Sequence, residues 1–289
     1  MNVLVIGCLG QLGHALQDTV PDDVFMAGVD VDEIDITNSK SVHAVITKAE
    51  PDVVINAAAY TAVDQAESEP LKAKAVNVEG VENVATTARE VGARLIHVST
   101  DFVFDGDQAE PYLPGATTNP LGVYGETKRQ GELVALAESP DRTVVIRTAW
   151  LYGQYGGNFV KTMLQLMQQR DSLAVVADQV GTPTWAESLA NVIWGITSLE
   201  QVAGIFHWTD GGQTSWYEFA QAIQDEAFDL NLLTKKIPIA PIPTDEYPTP
   251  ARRPAYSVLD TSSTCELLQI QPEPWRDNLR RMLQRDGIT

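Results

Sequence analysis

Tyr124 and Lys128 lie four positions apart in the stretch GVYGETKRQGE (122–132), where a helix is predicted to begin. Residues at i and i+4 share one face of a helix, so the phenol and the amine would face the same site. A phenol can protonate a developing alkoxide, but with a pKa near ~10 it is a poor partner at neutral pH. Lowering that pKa by about three units takes roughly 4 kcal/mol, which nearby positive charges could supply. The spacing therefore predicts Tyr124 as a proton donor tuned by Lys128.

A hydroxyl group at the end of a predicted strand belongs with this pair. The stretch HVSTDFVFDG (97–106) ends a β-branched run and places Thr100 at the carboxyl end of that strand. Ligands of open parallel sheets bind at this edge, so Thr100 could orient a substrate carbonyl. YxxxK spacing alone is common among surface helix pairs, and only the combination with Thr100 and the features below favours catalysis. The predicted catalytic residues are Thr100, Tyr124 and Lys128.

A glycine-rich loop follows the first β-branched run of the chain. Gly7, Gly10 and Gly13 come directly after NVLVI (2–6), and a helix is predicted from about Gln11. Glycines in this position permit a tight turn, let the backbone approach a pyrophosphate and let the helix pack on the strand. The N-terminus of that helix attracts negative charge. The position of the loop between a strand and a helix predicts a dinucleotide site.

The ends of the second and third predicted strands extend this interpretation. Asp30 could accept hydrogen bonds from ribose hydroxyls and repel a 2′-phosphate, which favours NADH over NADPH. The same residue begins the acidic stretch DVDEID (30–35), so a loop acid or a helix cap is the alternative. NAAAY (56–60) ends the third strand with small residues, which would leave room for a ligand or serve helix–sheet packing.

Regular alternation of strands and helices positions these residues. The predicted strands cover residues 2–6, 24–30, 52–57, 93–99 and 143–148, with helical apolar spacing between them. This order predicts an α/β protein with a Rossmann-type, doubly wound parallel sheet. After about residue 150 the alternation loosens, and prolines cluster at 235–254. We expect a dinucleotide-binding domain at 1–150, to which later segments return, and a smaller, mainly substrate-binding lobe at 151–289.

Composition narrows the classes of partner. The 39 acidic and 20 basic residues give a formal net charge of −19, which repels nucleic acid and anionic membranes. No apolar run approaches the ~20 residues of a membrane span, so a soluble, cytoplasmic protein is expected. The 2 cysteines and 4 histidines suggest neither a disulfide framework nor a zinc site.

The chain resembles the dTDP-4-dehydrorhamnose reductase family of extended short-chain dehydrogenase/reductases, a group in which the GxxGxxG spacing is found. The resemblance runs nearly from end to end, through GQLGHAL (10–16), STDFVFDG (99–106) and YPTPARRPAYSVLD (247–260). TAVDQAE (61–67), NFVKTM (158–163) and DQVGTPT (178–184) resemble blocks peculiar to that family. The resemblance implies reduction, by NADPH or NADH, of the C4 keto group of dTDP-4-dehydro-6-deoxy-L-mannose, the last step of dTDP-L-rhamnose synthesis.

The resemblance also implies roles for individual residues. Besides the glycines, the implied cofactor contacts are Gln11, Leu12, Asp30, Asp35, Ile36, Ala59, Tyr60, Thr61, Val98 and Lys128. The implied substrate contacts are Thr100, Asp101, Tyr124 and Trp150. Arg253 is a candidate for the diphosphate, because a guanidinium suits phosphate oxygens in an otherwise acidic protein, with a surface ion pair as the alternative.

Two alternatives and a metal question stay open at this point. Another nucleotide-sugar reductase or a 4-epimerase would share the catalytic residues, and the non-catalytic regulatory subunit of methionine adenosyltransferase resembles this family too. Some relatives dimerise through magnesium held by glutamates, and Glu187 matches one of these. Ala15, preceded by His14, stands where another is expected, and one carboxylate is a poor magnesium site. We therefore expect a monomer or homodimer without a bridging metal.

Overall fold

The computed structural model describes residues 1–285 as strands and helices that alternate through the first half of the chain. The strands are β1 (Asn2–Ile6), β2 (Phe25–Val29), β3 (Val53–Asn56), β4 (Arg94–Thr100), β5 (Thr143–Thr148), β6 (Leu151–Tyr152), β7 (Leu173–Val176), β8 (Val180–Gly181), β9 (Thr184–Trp185), β10 (Gly204–His207), β11 (Thr214–Ser215) and β12 (Ile239–Ile242). The helices are α1 (Gln11–Asp18), α2 (Ser39–Ala49), α3 (Val63–Ala66), α4 (Pro70–Lys74), α5 (Gly80–Glu90), α6 (Val123–Glu138), α7 (Phe159–Gln169), α8 (Ala186–Thr197), α9 (Trp216–Asp229), α10 (Ser262–Leu268) and α11 (Trp275–Leu283).

A six-stranded parallel sheet in the order β10-β5-β4-β3-β1-β2 confirms the predicted fold class. The five predicted strands agree with β1 to β5 to within one residue at each end. The sixth strand, β10, was not predicted, because its four residues GIFH lie where the alternation has loosened. β1 lies between β2 and β3, so successive strands are added first on one side of β1 and then on the other. At this change in strand order, a crevice opens at the carboxyl ends of β1 and β3.

Alternating side chains of the strands fill two apolar layers. Val3 and Val5 pack with α1 and α8 on one face of the sheet, while Leu4 and Ile6 pack with α2 and α5 on the other. Burying each such side chain stabilises the fold by roughly 1.5–3 kcal/mol. Because α1 has only 8 residues, it is too short to be stable alone and depends on this packing. The sheet therefore fixes where α1 begins.

A third apolar cluster, separate from the two layers on the sheet, lies in the later part of the chain. It joins α7, α9 and α11 through Leu164, Phe219, Ile223 and Leu279, all buried. β10 and α8 come from the same half of the sequence but belong to the sheet and its helical layer. Within residues 1–285, each helix is too short or too polar to cross a membrane.

Candidate functional site

A cavity of about 650 Å³ opens at the carboxyl edge of the sheet, between the glycine loop, the end of β4 and the starts of α6 and α9. The following predicted site residues line it: Gly7, Gly10, Gln11, Leu12, Gly13, Asp30, Ala59, Thr61, Val98, Thr100, Asp101, Tyr124, Lys128, Trp150 and Arg253. A larger groove of about 820 Å³, lined in part by Asp210 and Cys265, contains none of the predicted site residues. The chemistry expected from the sequence thus converges on the first cavity.

The glycine loop has the shape of a cradle for a dinucleotide pyrophosphate. Gly7 has φ 85°, and a Cβ there would lie 2.8 Å from the backbone nitrogen of Ala58. A Cβ on Gly13 would collide with the carbonyl oxygen of Gly7. Gly10 is the N-cap of α1 without a side-chain cap, so the first amides of the helix are free to meet an anion. These features fit a dinucleotide, and a side chain at Gly7 or Gly13 would collide with neighbouring backbone and distort the loop.

Asp30 is bound to the glycine loop as well as facing the cavity. Its Oδ2 accepts a hydrogen bond from the Leu9 backbone N–H at 2.8 Å, and its Oδ1 accepts one from Val31 N–H at 2.9 Å. The carboxylate therefore has a fixed position immediately after β2. A ligand phosphate in this part of the cavity would meet its negative charge.

Three predicted cofactor contacts lie outside the cavity lining. The Oδ1 atom of Asp35 accepts hydrogen bonds from the backbone and hydroxyl of Thr37 in a local turn. Ile36 is buried in the apolar layer formed by α2 and α5. The phenol of Tyr60 donates to Glu69 Oε2 at 2.8 Å. The side chains of Asp35, Ile36 and Tyr60 therefore make local contacts in this structure, and the cofactor contacts implied for them by the family resemblance stay predictions.

Thr100 and Tyr124 meet at one wall of the cavity. Thr100 is 6% exposed; its hydroxyl donates to Asp101 Oδ1 at 3.0 Å and accepts from Phe102 N–H at 3.2 Å. Burial raises the pKa of Tyr124 to about 12, the charge of Asp101 adds to this, and a hydrogen bond with Thr100 opposes it. The sequence had predicted a pKa lowered by nearby positive charges, whereas desolvation dominates here and raises it. Tyr124 is thus a fully protonated phenol at neutral pH.

Lys128 enters the cavity from the same helix but is held against β4. It is 2% exposed, and its Nζ donates to the Val98 carbonyl oxygen at 2.6 Å. Burial lowers the pKa of Lys128 to about 8, although the Glu132 carboxylate acts in the opposite direction. The amine is therefore in place for a ligand and changes charge close to neutral pH.

Asp101 presents an unsatisfied oxygen at the site. It is 2% exposed, and burial raises its pKa to about 6 against hydrogen bonds with Ser257 and Thr100. Its Oδ2 has no hydrogen-bond partner within residues 1–285, and the same holds for the hydroxyl of Thr148 at the end of β5. Both residues line the cavity. Sequence reasoning missed Thr148, although its place at a strand end is the same signal that identified Thr100.

Two stacked indoles form another wall. Trp150 has φ 47°, and its ring stacks on Trp216 with centroids 3.5 Å apart and planes 9° from parallel. Trp216 begins α9, after a capping box formed by Ser215 and Glu218. Gly181, in the block DQVGTPT, leaves room for the Trp150 ring, since a Cβ there would approach it to 2.6 Å. Sequence reasoning also missed Trp216, which no local pattern marks.

Gly181→Ala is expected to destabilise the chain by about 1–3 kcal/mol, because the new methyl group must displace the stacked indoles. Urea unfolding, monitored by tryptophan fluorescence, measures this change. Gly115→Ala is the matched control, since its Cβ would meet nothing within 4 Å, and its effect should stay within about 0.5 kcal/mol. Equal effects of the two substitutions would contradict the packing described.

Arg253 lines the cavity but is already paired. Its Nη2 lies 2.8 Å from Asp64 Oδ2, and its Nη1 lies 3.2 Å from Asp64 Oδ1. The guanidinium lowers the pKa of Asp64. This bidentate pair joins the block TAVDQAE to the C-terminal block PARRP, which are 189 positions apart. The ion pair with Asp64 is the alternative that the sequence left open, and the contact with a diphosphate stays a prediction.

Glu187 forms a salt bridge with Arg285 of the same chain. Both of its carboxylate oxygens accept from Arg285 Nη2, at 2.7 and 2.6 Å. Nowhere in residues 1–285 do three or more His, Cys, Asp or Glu side chains gather as a metal site would require. The donor set around Glu187 therefore does not fit magnesium.

A buried ionic cluster lies behind the cavity. Glu132, which is fully buried, accepts two hydrogen bonds from Arg147 at 2.8 and 2.7 Å and one from Ser99 at 2.6 Å. Arg147 also donates to the Pro114 carbonyl oxygen. It lies 3.4 Å from His207, which has its pKa lowered to about 3 by burial and by the guanidinium. The cluster ties α6, which carries Tyr124 and Lys128, to β4 and β5.

Comparisons with known proteins agree with this geometry. A family model described as RmlD substrate binding domain matches residues 1–287. The dTDP-4-dehydrorhamnose reductase of Aggregatibacter actinomycetemcomitans is 42% identical, over 97% of this chain and 98% of that protein. A crystal structure of a dTDP-4-dehydrorhamnose reductase from Clostridium acetobutylicum superposes with TM-score 0.91 at 40% identity, covering 98% of each chain. The enzyme of that name from Bacillus anthracis, in complex with NADP, gives TM-score 0.91 at 36% identity, covering 97% of this chain and 98% of the other.

Proposed function

The chain belongs to the dTDP-4-dehydrorhamnose reductase family, and we propose on this premise that it reduces the C4 keto group of dTDP-4-dehydro-6-deoxy-L-mannose to give dTDP-L-rhamnose. The observation that carries the proposal is the convergence of Thr100, Tyr124 and Lys128 with the glycine loop on one cavity. A nicotinamide dinucleotide is the cofactor of this enzyme class, and it supplies the hydride when bound.

The residues of the glycine loop and Asp30 would hold the cofactor. The uncapped start of α1 meets its pyrophosphate, and Asp30 meets the adenosine ribose. Lys128, buried and tied to Val98, is placed to hold the nicotinamide ribose. We propose residues 1–150 as the dinucleotide-binding unit and residues 151–289 as mainly the substrate lobe.

Tyr124 donates the proton to the sugar. As C4 gains a hydride, negative charge develops on its oxygen, and the Tyr124 O–H donates its proton to that oxygen. The raised pKa keeps the phenol protonated until then. Thr100 turns its hydroxyl away from Asp101 to donate a hydrogen bond to the same oxygen, and the Lys128 ammonium stabilises the tyrosinate that remains.

The rest of the cavity suits the nucleotide sugar. Trp150 would pack on the deoxyhexose, and the free Oδ2 of Asp101 would accept from a sugar hydroxyl. Arg253 would exchange contacts with Asp64 for contacts with the diphosphate. We propose that the enzyme acts in the cytoplasm.

The relatives support the reductase and not the alternatives. Relatives at 40–42% identity over 97–98% of the chain are dTDP-4-dehydrorhamnose reductases by name.

Loss of NADH and NADPH absorbance on addition of dTDP-4-dehydro-6-deoxy-L-mannose tests the proposal. We expect turnover with at least one of the two dinucleotides and a dTDP-deoxyhexose reduced at C4 as product. Dinucleotide binding without turnover on this sugar would contradict the proposal and favour another nucleotide sugar or a regulatory role.

We expect kcat/KM to be higher with NADH than with NADPH, because a 2′-phosphate would lie near the Asp30 carboxylate. Asp30→Asn should decrease the NADH to NADPH ratio of kcat/KM by about tenfold, which corresponds to roughly 1.4 kcal/mol. Asp32→Asn is the matched control, since Asp32 is exposed in the same loop and is not among the residues lining the cavity. The same change of ratio in both variants would show that overall charge, and not Asp30, sets the preference.

A further inference from the structure

We propose that Asn56 and His97 form a buried hydrogen-bond chain that favours the neutral amine of Lys128 over its ammonium ion. The proposal rests on the function given above, because it assigns a positioning role to two residues behind Lys128. Asn56 ends β3, His97 lies on the neighbouring strand β4, and both are fully buried. Neither lines the cavity, so neither is a candidate for direct contact with substrate.

The hydrogen-bond chain starts at the backbone amide of Ala58. Ala58 N–H donates to Asn56 Oδ1 at 3.2 Å. Asn56 Nδ2 lies 3.3 Å from His97 Nδ1, and His97 Nε2 lies 3.4 Å from Lys128 Nζ. Because a backbone N–H can only donate, it fixes the Asn56 amide with its oxygen towards Ala58 and its NH₂ group towards the imidazole.

This orientation decides the tautomer of His97. The Asn56 NH₂ group donates, so His97 Nδ1 must accept, and a neutral imidazole then carries its proton on Nε2. The pKa of His97 is lowered well below its ordinary value of 6.5 by burial and by the charge of Lys128, so the ring is neutral. The N–H of Nε2 consequently faces Lys128.

An ammonium group cannot accept that hydrogen bond, since it has donors only. The neutral amine can, because it has a lone pair. Reversing the His97 tautomer would not remove the conflict but would move it to Asn56, whose NH₂ group would then face an N–H. With a backbone donor fixed at one end, every link of the chain is satisfied only when Lys128 has lost its proton.

The other charged and titratable groups around Lys128 also influence the balance between its ammonium and neutral amine forms. Glu132, one turn further along α6, favours the ammonium, and Tyr124 lies one turn before it. From β4 and the turn that follows it, His97 and Asp101 face the same region. The pKa of Lys128, lowered to about 8 mainly by burial, is consistent with the hydrogen-bond chain. Lys128 therefore titrates near neutral pH, and activity should fall as it loses the charge that stabilises tyrosinate.

The tautomer of His97 in the wild-type protein is the first test. Two-bond ¹H–¹⁵N correlation spectra distinguish the tautomers, and His97 can be assigned by its loss in His97→Gln, because the chain has only 4 histidines. One unit above the Lys128 pKa of about 8, we expect the proton on Nε2. A proton on Nδ1 would overturn the proposal. This measurement needs no turnover, so it can fail independently of the proposed function.

Asn56→Asp is the second test, because a carboxylate accepts from both Ala58 N–H and His97 Nδ1–H. The tautomer should reverse, Nε2 should become an acceptor for the ammonium, and the basic limb of the kcat/KM profile should move up by about one pH unit or more. A lower rate with an unmoved basic limb would indicate a merely structural role and would overturn the proposal. A shifted limb with an unchanged tautomer would also overturn it, since the new charge alone would then be the cause.

Discussion

Replacing Tyr124 with phenylalanine is expected to lower kcat by about 10³-fold, within the 10²–10⁴ range that a positioned general acid contributes. The aromatic ring at position 124 stays in edge-to-face contact with Phe102, with the ring centroids 5.5 Å apart. Only the hydroxyl group, and with it the donated proton, is lost. The cofactor cradle is formed by other residues, so the dissociation constant for the dinucleotide should change by less than about threefold. Single-turnover kinetics and fluorescence titration measure the two quantities separately.

A control at the same wall of the cavity separates chemistry from packing. Phe102→Leu removes the aromatic partner of Tyr124 but no functional group, and we expect its kcat to stay within about tenfold of the wild type. If Tyr124→Phe lost dinucleotide binding and turnover together, or lost no more turnover than Phe102→Leu, Tyr124 would not be the proton donor.

Arg147→Met is expected to destabilise the protein by about 3–5 kcal/mol, because it leaves the Glu132 carboxylate buried without its principal cation. Both side chains are at most 1% exposed, so water cannot replace the lost hydrogen bonds. Arg129 Nη1, at 3.5 Å from Glu132 Oε2, forms a longer ion pair that would compensate only in part. Urea unfolding gives the change in free energy.

Two further variants control this prediction. Lys235→Met breaks the exposed pair with Asp171, at 2.8 Å, and should change stability by less than about 1 kcal/mol. The double variant Glu132→Gln with Arg147→Met should recover part of the loss, since it removes the unpaired charge. If Arg147→Met cost no more than Lys235→Met, the buried cluster would not hold α6 in place.

The sequence predicted those parts of the structure that depend on neighbours in the chain. β1 to β5 are near-continuous apolar runs because helices cover both faces of the sheet. Tyr124 and Lys128 were found because their spacing is the helical repeat itself. β10 has four residues, as β3 does, but it lies where the alternation of strands and helices has loosened, so no such signal marks it. Its place beside β5 depends on contacts between distant parts of the sequence.

The contacts that the sequence did not reveal are long-range. Arg253 pairs with Asp64 across 189 positions and Arg285 with Glu187 across 98, so no local pattern could decide between ligand binding and an ion pair. The raised pKa of Tyr124 has the same origin, because burial, its main cause, depends on the folded surroundings.

Transfer of deuterium from NADH or NADPH labelled at the nicotinamide C4 position tests the central claim most directly. With dTDP-4-dehydro-6-deoxy-L-mannose as substrate and each face of the cofactor labelled in turn, the account predicts one face whose deuterium appears at C4 of the sugar product. NMR and mass spectrometry locate the label. Oxidation of the cofactor without deuterium at C4, or deuterium at another carbon, would contradict reduction at the site formed by Thr100, Tyr124 and Lys128.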